Sequence, residues 1–409
     1  PDLCMPLHEM ESTRRLQVLS RQLAQTGPPT SELCALVVGG VVLDIQARPH
    51  ATQQLLRGGS VPGKVTQTPG GVARNIASAA CQLAQGVALA SVLGQDAAGS
   101  YLLSTLQQTG TLDVSHVKQV QGASTPTVAI VFDNTAEVAA CVADVATVEE
   151  QLTPGCSLVQ QLCAHVIPQA RLLVVECNLP AETMRTLSAA ASHAGVPVFV
   201  EPVSVPKAVR AAPSLQHVDW IKPNAGELQS IADAVCSSQG RPLPPRISRG
   251  EDGSGSRSPA AVEGHLRQLA QCAAVLLREG CKRVVVSLGA QGAALFVSGG
   301  SSSGSSAARV CVGHLPALPA KIVSLSGAGD TMVGGLVAAL LNSGAAGKAA
   351  QSQQLPSDAD CAALACGMAA AKCSVESLDN VPLTLASAPS LKADAAATLQ
   401  GLRRHVFSV

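Results

Sequence analysis

With 409 residues, 47% of them hydrophobic and 14% charged, the chain can build a sizeable core. Its length fits roughly two to three domains, or one large domain with insertions. Lys+Arg and Asp+Glu balance at 28 each, which excludes the strongly basic face of a nucleic-acid binder, and one Trp, one Tyr and four Phe leave few rings for stacking on a single strand. No run of 18 or more apolar residues occurs, so no membrane-spanning helix is expected.

The 14 cysteines contain no C-x-x-C pair, and the nearest neighbours are Cys361 and Cys366. Most lie in apolar runs, as Cys34, Cys81 and Cys281 do, where a free thiol behaves as a small hydrophobe. A reducing, intracellular setting is expected, with no metal cage among the scattered histidines. Residues 1–32 read as an N-terminal extension. Within a helical, amphipathic segment at 9–25, Arg15-Leu16, five residues, then Gln22-Leu23 match the type-2 peroxisomal targeting pattern. An ordinary surface helix is the alternative, with a cytoplasmic location.

The folded part is expected from about residue 33. The run 34–45, CALVVGGVVLDI, has the continuous apolar character of a strand buried on both faces, ending in Asp44. Ligands of open parallel sheets sit outside the carboxyl ends of strands, which makes Asp44 a site candidate. After a polar excursion at 46–68, Gly70 and Gly71 open a helix that carries Asn75 one turn in. An Asn in so apolar a helix costs propensity unless its amide finds a partner.

Residues 125–144 read as a hairpin, two β-branched runs around Asp133-Asn134, ending in Asp144. With 46–68 it would form a small β lid. Strands at 171–178 and 196–204 end in Glu176 and Glu201. In WIKPNAGEL (220–228), Asn224 and Glu227 stand one helical turn apart, able to share a hydrated metal ion or to form a capping box.

Residues 237–260 and 298–306 are Gly/Ser/Pro-rich, of the composition of flexible insertions. Between them 283–297 reads as strand, turn, strand, with Ser287, Gly289 and Gly292 available to phosphate. The stretch 322–341, IVSLSGAGDTMVGGLVAALL, is a strand end, a small-residue turn and an apolar helix. The amides of Gly327, Ala328 and Gly329 at a helix N-terminus favour an anion. Asp330 beside them is placed either on the helix dipole or as a general base for attack on a phosphate. Residues 391–409 are expected to form a final surface helix.

Strands alternating with helices argue an α/β fold with a mostly parallel sheet. The turn GGVVLD after the first strand lacks the G-x-G-x-x-G of a dinucleotide fold. GGVARN (70–75), NAGE (224–227), SLGAQG (287–292) and GAGD (327–330), in this order and spacing, resemble the ribokinase (PfkB) family of sugar and nucleoside kinases from about residue 33 to 385. PGGVARNIA, VADVATVEEQLTP, EPVSVPKA and WIKPNAGEL bring the likeness nearest to a member acting on a nucleoside whose base is joined through carbon.

The resemblance implies a three-layer α/β/α kinase domain over 33–390 with a β lid, and transfer of phosphate from ATP with Mg²⁺ to a small-molecule hydroxyl. It implies Asp330 as base, Gly327, Ala328 and Gly329 as anion hole, and Asn224 and Glu227 holding Mg²⁺ through water. Ser287, Gly289 and Gly292 would take the ATP phosphates, while Asp44, Gly70, Gly71, Asn75 and Glu176 would line the substrate pocket. Asp144, at the end of a lid strand, is placed either to read the extra ring N–H of a carbon-linked base or as a lid-surface aspartate. The family often writes D-T-x-G-A-G-D, and Ser324 here leaves a K⁺ site without its acid. Ribose, ketose or purine-nucleoside kinases of the same fold, or a catalytically silent scaffold, are the competing readings. Members of this family often pair through the lid, which suggests a homodimer.

Overall fold

The apolar run 34–45 divides between two sheets. In this computed structural model, which describes residues 15–19, 32–56, 58–135, 137–248, 259–300, 308–344 and 355–409, strand β1 covers only Ala35–Val38 and β2 covers Val42–Pro49. The cause of the break is a buried carboxylate. Gly40 N–H donates to Glu176 Oε1 at 2.7 Å, and a Cβ on Gly39 would come within 2.2 Å of that same oxygen. Only a residue without a side chain lets the backbone pass so close. Asp44, expected at the tip of a buried strand, therefore lies on a strand of the second, smaller sheet.

That smaller sheet is the lid, in the order β3 (Gly63–Gly70), β2, β6 (Thr127–Phe132), β7 (Val138–Asp144). The expected hairpin is β6–β7, antiparallel. The lid starts at Val42 rather than at 46, and its edge strand β7 is exposed along its whole length.

The main sheet has ten strands. Seven run parallel in the order β5 (Leu112–Val120), β4 (Val87–Gly94), β1, β8 (Leu172–Glu176), β9 (Val198–Glu201), β10 (Trp220–Ile221), β11 (Arg283–Ser287). The antiparallel strands β12 (Ala293–Ser298), β13 (Arg309–Leu315) and β14 (Arg403–Ser408) complete the edge. The final strand corrects the expectation of a helix to the C-terminus. The helix stops at Gln400, and Phe407 is buried opposite Val310 in the sheet.

Alternate residues of the parallel strands feed two separate cores. Ala35, Val37 and Val174 join one cluster, and Leu36, Val38, Leu173 and Val175 the other. This period of two is what a sheet covered by helices on both faces requires. On the first face lie α1 (Val72–Leu83) and, later in the chain, the helices Ala328–Ser343 and Asp358–Val375. On the second lie α2 (Ala181–His193), α3 (Ala225–Ser238) and α4 (Pro259–Arg278). We call the Ala328–Ser343 helix α5 and the Asp358–Val375 helix α6. Small residues set their spacing: a Cβ on Gly334 would sit 2.5 Å from Ala79 Cβ of α1, and one on Gly335 2.7 Å from Ala370 Cβ of α6.

Residues 15–19 are helical. Leu19 is buried in the first core and Arg15 pairs with Asp358 at 3.2 Å. Gln22 and Leu23, the second half of the targeting pattern, lie outside the described residues, as do 249–258 of one insertion and 301–307 at the other. The first part of the 237–260 stretch is held in place: Ile247 N–H donates to Gln229 Oε1 at 2.8 Å and Arg241 bonds Glu279. Among the described residues no cysteine is in a disulfide, and none of the helices is long and apolar enough to cross a membrane.

Candidate active site

The carboxyl ends of β1, β8, β9, β10 and β11 open on one side of the sheet, and the N-terminus of α5 comes down beside them. Gly327 caps this helix with φ 76°, a left-handed conformation, and a Cβ there would be 2.1 Å from the Asn380 carbonyl oxygen. The first helical bond runs from Thr331 N–H to the Gly327 carbonyl at 2.8 Å, so the amides of Gly329 and Asp330 stand ahead of the ladder. Unpaired amides at a helix start can hold an anion.

Asp330 is fixed by a two-step hydrogen-bond relay. Arg74 Nη1 donates to Asn75 Oδ1 at 2.9 Å, which orients the amide so that Asn75 Nδ2 donates to Asp330 Oδ2 at 2.8 Å. Here is the partner that an Asn in an apolar helix requires. One oxygen of Asp330 is thereby taken and the other is left for a proton. Burial pushes the carboxyl up to about 6, against the pull of the Asn75 bond and the Lys222 and Arg74 cations, with Asp44 adding to the push. A base near neutrality is what proton abstraction from a hydroxyl calls for.

Asp44 reaches the same recess from the lid. A Cβ on Gly70 would lie 2.2 Å from Asp44 Oδ2, so the glycine makes room for the carboxylate. Burial raises Asp44, and Asn380 at 3.5 Å and the Arg74 charge draw it back. Gly71, with φ 97°, sits where a Cβ would strike the Gly40 carbonyl at 2.4 Å. It lets the start of α1 lie directly against the hinge of the lid.

Asn224 and Glu227 form the capping box of α3: Glu227 N–H donates to Asn224 Oδ1 at 2.9 Å and Asn224 N–H to Glu227 Oε2 at 2.8 Å. The cap fixes both side chains and leaves Glu227 Oε1 for another ligand. Asn224 bridges Ser287 at the end of β11, which joins this helix start to the Ser287–Gly292 turn. Gly292 is required there, since a Cβ would be 2.0 Å from the Leu315 carbonyl; Gly289 has open space around it.

Two expected residues stand apart from this arrangement. Glu176 is fully buried, with one oxygen on Gly40 N–H and the other on Asn178 N–H at 2.7 Å, so it braces the hinge instead of lining the pocket. Burial pushes it up to about 7, against those two hydrogen bonds and the Lys207 charge. Asp144 is exposed at the end of β7, paired with Thr127 and through it with Leu43. That register puts it on the lid face opposite Asp44.

Four residues absent from the expected set join this arrangement. Arg74 holds Asn75. Asn380 accepts from Thr331 Oγ1 at 3.2 Å and Ser374 Oγ at 3.0 Å while its amide faces Asp44. Lys222 and Glu201 form a buried ion pair at 3.2 Å, each side chain 5% exposed. A charged residue at the carboxyl end of a buried strand was the available signal for this pair. Strands β9 and β10 are parallel neighbours, in register Val200 to Ile221, so their next residues meet.

A helix start with unpaired amides, a perturbed carboxylate beside it and a lid are parts that phosphoryl transfer to an alcohol group calls for. The model of the pfkB family carbohydrate kinases matches residues 35–384, and the chain belongs to that family. It is 32% identical to the pseudouridine kinase of Arabidopsis thaliana over 379 residues, covering 85% of this chain and 92% of that protein. It is 27% identical to the pseudouridine kinase of Escherichia coli strain K12 over 303 residues, covering 74% and 82%. Among solved structures, Arabidopsis thaliana ribokinase complexed with ribose and ATP superposes with a TM-score of 0.63 at 18% identity, covering 90% of this chain and 99% of that one. Ribokinase from Cryptococcus neoformans in complex with ADP gives 0.58 at 20%, covering 87% and 99%.

Proposed function

We propose that the chain is an ATP-dependent kinase that phosphorylates the 5′-hydroxyl of pseudouridine. The observation that carries the chemistry is Asp330, held by Asn75 at the lip of the Gly327–Gly329 turn. The substrate assignment rests on the likeness to two pseudouridine kinases.

In this reading the 5′-hydroxyl approaches the free oxygen of Asp330 and gives up its proton there. The amides of Gly327 and Gly329, with that of Ala328 in exchange for its 3.4 Å bond to the Leu325 carbonyl, take the charge that gathers on the transferred group, a contribution of about 2.7–4 kcal/mol per donor. Asp44, Gly70, Gly71 and Asn75 hold the ribose, with Asn380 and Arg74 setting the Asp44 carboxylate. Ser287, Gly289 and Gly292 receive the ATP phosphates.

Glu227 Oε1, left over from the capping box, and Asn224 at its side suit a Mg²⁺ ion held through water, which would neutralise phosphate charge. At Ser324 the hydroxyl accepts from Ser326 N–H at 3.2 Å, closing the turn where an acid would have held K⁺. We infer no K⁺ requirement. The expectation that Asp144 reads the extra ring N–H of the base draws no support from its place on the outer lid face.

The test is a panel of pseudouridine, uridine, adenosine, ribose and fructose with Mg-ATP, read by mass for the 5′-phosphate. Pseudouridine is expected to have the highest kcat/KM. Preference for another member would reassign the substrate within the family. No turnover with any member would favour a silent scaffold.

A further inference from the structure

Lys222 is a buried ammonium with a single ion-pair partner among the described residues. Its Nζ lies 3.2 Å from Glu201 Oε2, with both side chains 5% exposed. An ammonium has three N–H donors, so two remain for something else. Burying a charge with its donors unspent is costly and needs a reason.

The reason lies in where the head group points. A Cβ built on Gly329 would find only one heavy atom within 4 Å, and that atom is Lys222 Nζ at 3.3 Å. The space in front of the turn is otherwise open. An anion resting on the Gly327–Gly329 amides would meet this ammonium as its other wall.

We propose that Lys222 is a further catalytic residue, whose ammonium contacts the transferring γ-phosphoryl group, with Glu201 as the positioning residue that holds it. The proposal rests on the kinase reading above. In the step the acceptor O–H bond breaks and its proton passes to Asp330. A bond forms from that oxygen to the γ-phosphorus, and the bond to the β-bridging oxygen breaks with its electron pair leaving on ADP. Negative charge grows on the oxygens around the γ-phosphorus and on the bridge, where a fixed cation stabilises it without reorganising. Removing Lys222 removes a partner that ATP has and ADP lacks.

The experiment compares wild type, Lys222→Met and the double variant Lys222→Met/Glu201→Gln, which leaves no lone buried acid and keeps the fold testable. Calorimetry measures the affinities for Mg-ATP and Mg-ADP, and single-turnover assays measure transfer. We expect the rate of transfer to fall about 10²–10³-fold. We also expect affinity for ATP to drop towards that for ADP, with ADP affinity unchanged. Equal losses for ATP and ADP would reduce Lys222 to a structural role and overturn the proposal. So would retention of the wild-type rate and ATP preference. If wild type transfers to no acceptor, the kinase reading fails, and the ATP-against-ADP comparison still decides the assignment of Lys222.

Discussion

At the scale of single residues, the relay from Arg74 through Asn75 to Asp330 makes the sharpest claim. Asp330→Asn is expected to lower kcat at least about 10²–10⁴-fold while calorimetric ATP affinity changes little. As the proposed base Asp330 would act only when ionised, and it is pushed up to about 6. Activity therefore falls as pH drops through about 6. Arg74 is one of the charges that hold Asp330 down, so Arg74→Met is expected to move the acid limb of the kcat/KM profile to higher pH. An unmoved limb would remove Arg74 from the relay. Asp330 and the Gly327–Gly329 turn were legible in the sequence because the motif is contiguous, and one helix start brings the amides and the acid together. Lys222 and Glu201 were not, because they meet only through the adjacency of β9 and β10. Strand order is a long-range property that a single chain of letters does not print.

Among the elements, the turn before α5 bears the heaviest conformational constraint. Gly327 is left-handed and packs on the Asn380 carbonyl, whose neighbours reach Asp44 and the end of α6. Gly327→Ala pays about 1–2 kcal/mol for the backbone alone, and the clash displaces Asn380 as well. The variant is expected to melt several degrees lower and to lose most of its activity; a wild-type melting curve would mean that the turn has another conformation available. The strands were read with unequal success. The β6–β7 hairpin and the β11–β12 pair follow from turn residues flanked by β-branched runs. The division of 34–45 into β1 and β2 is not legible in the sequence because nothing polar interrupts the run, and Glu176, which forces the break, lies far along the chain. The alanine-rich pattern of 391–400 predicts helix onward and Arg-Arg-His-Val-Phe-Ser carries no clear alternation against it, so β14 is defined only by its pairing with β13.

For the whole molecule, the lid is the open question of surface. Val65 and Val142 are 67% and 71% exposed, and by register both share the lid face that carries Leu43. With β7 an uncovered edge, a homodimer through the lid would shield both features. Light scattering at micromolar concentration is expected to give twice the chain mass, and Val142→Asp to give one chain; a wild-type monomer would refute the dimer. The passage of one stretch of chain from the main sheet into the lid has a mechanical consequence. Since β1 and β2 are joined over Gly39–Val41, a moving lid would pivot there, with the Glu176 carboxylate as its bearing. Such an arm would open for product without unzipping a strand of the main sheet. Wear at that bearing would show first as ATP wasted on water through a lid that no longer shuts, well before the protein lost its shape.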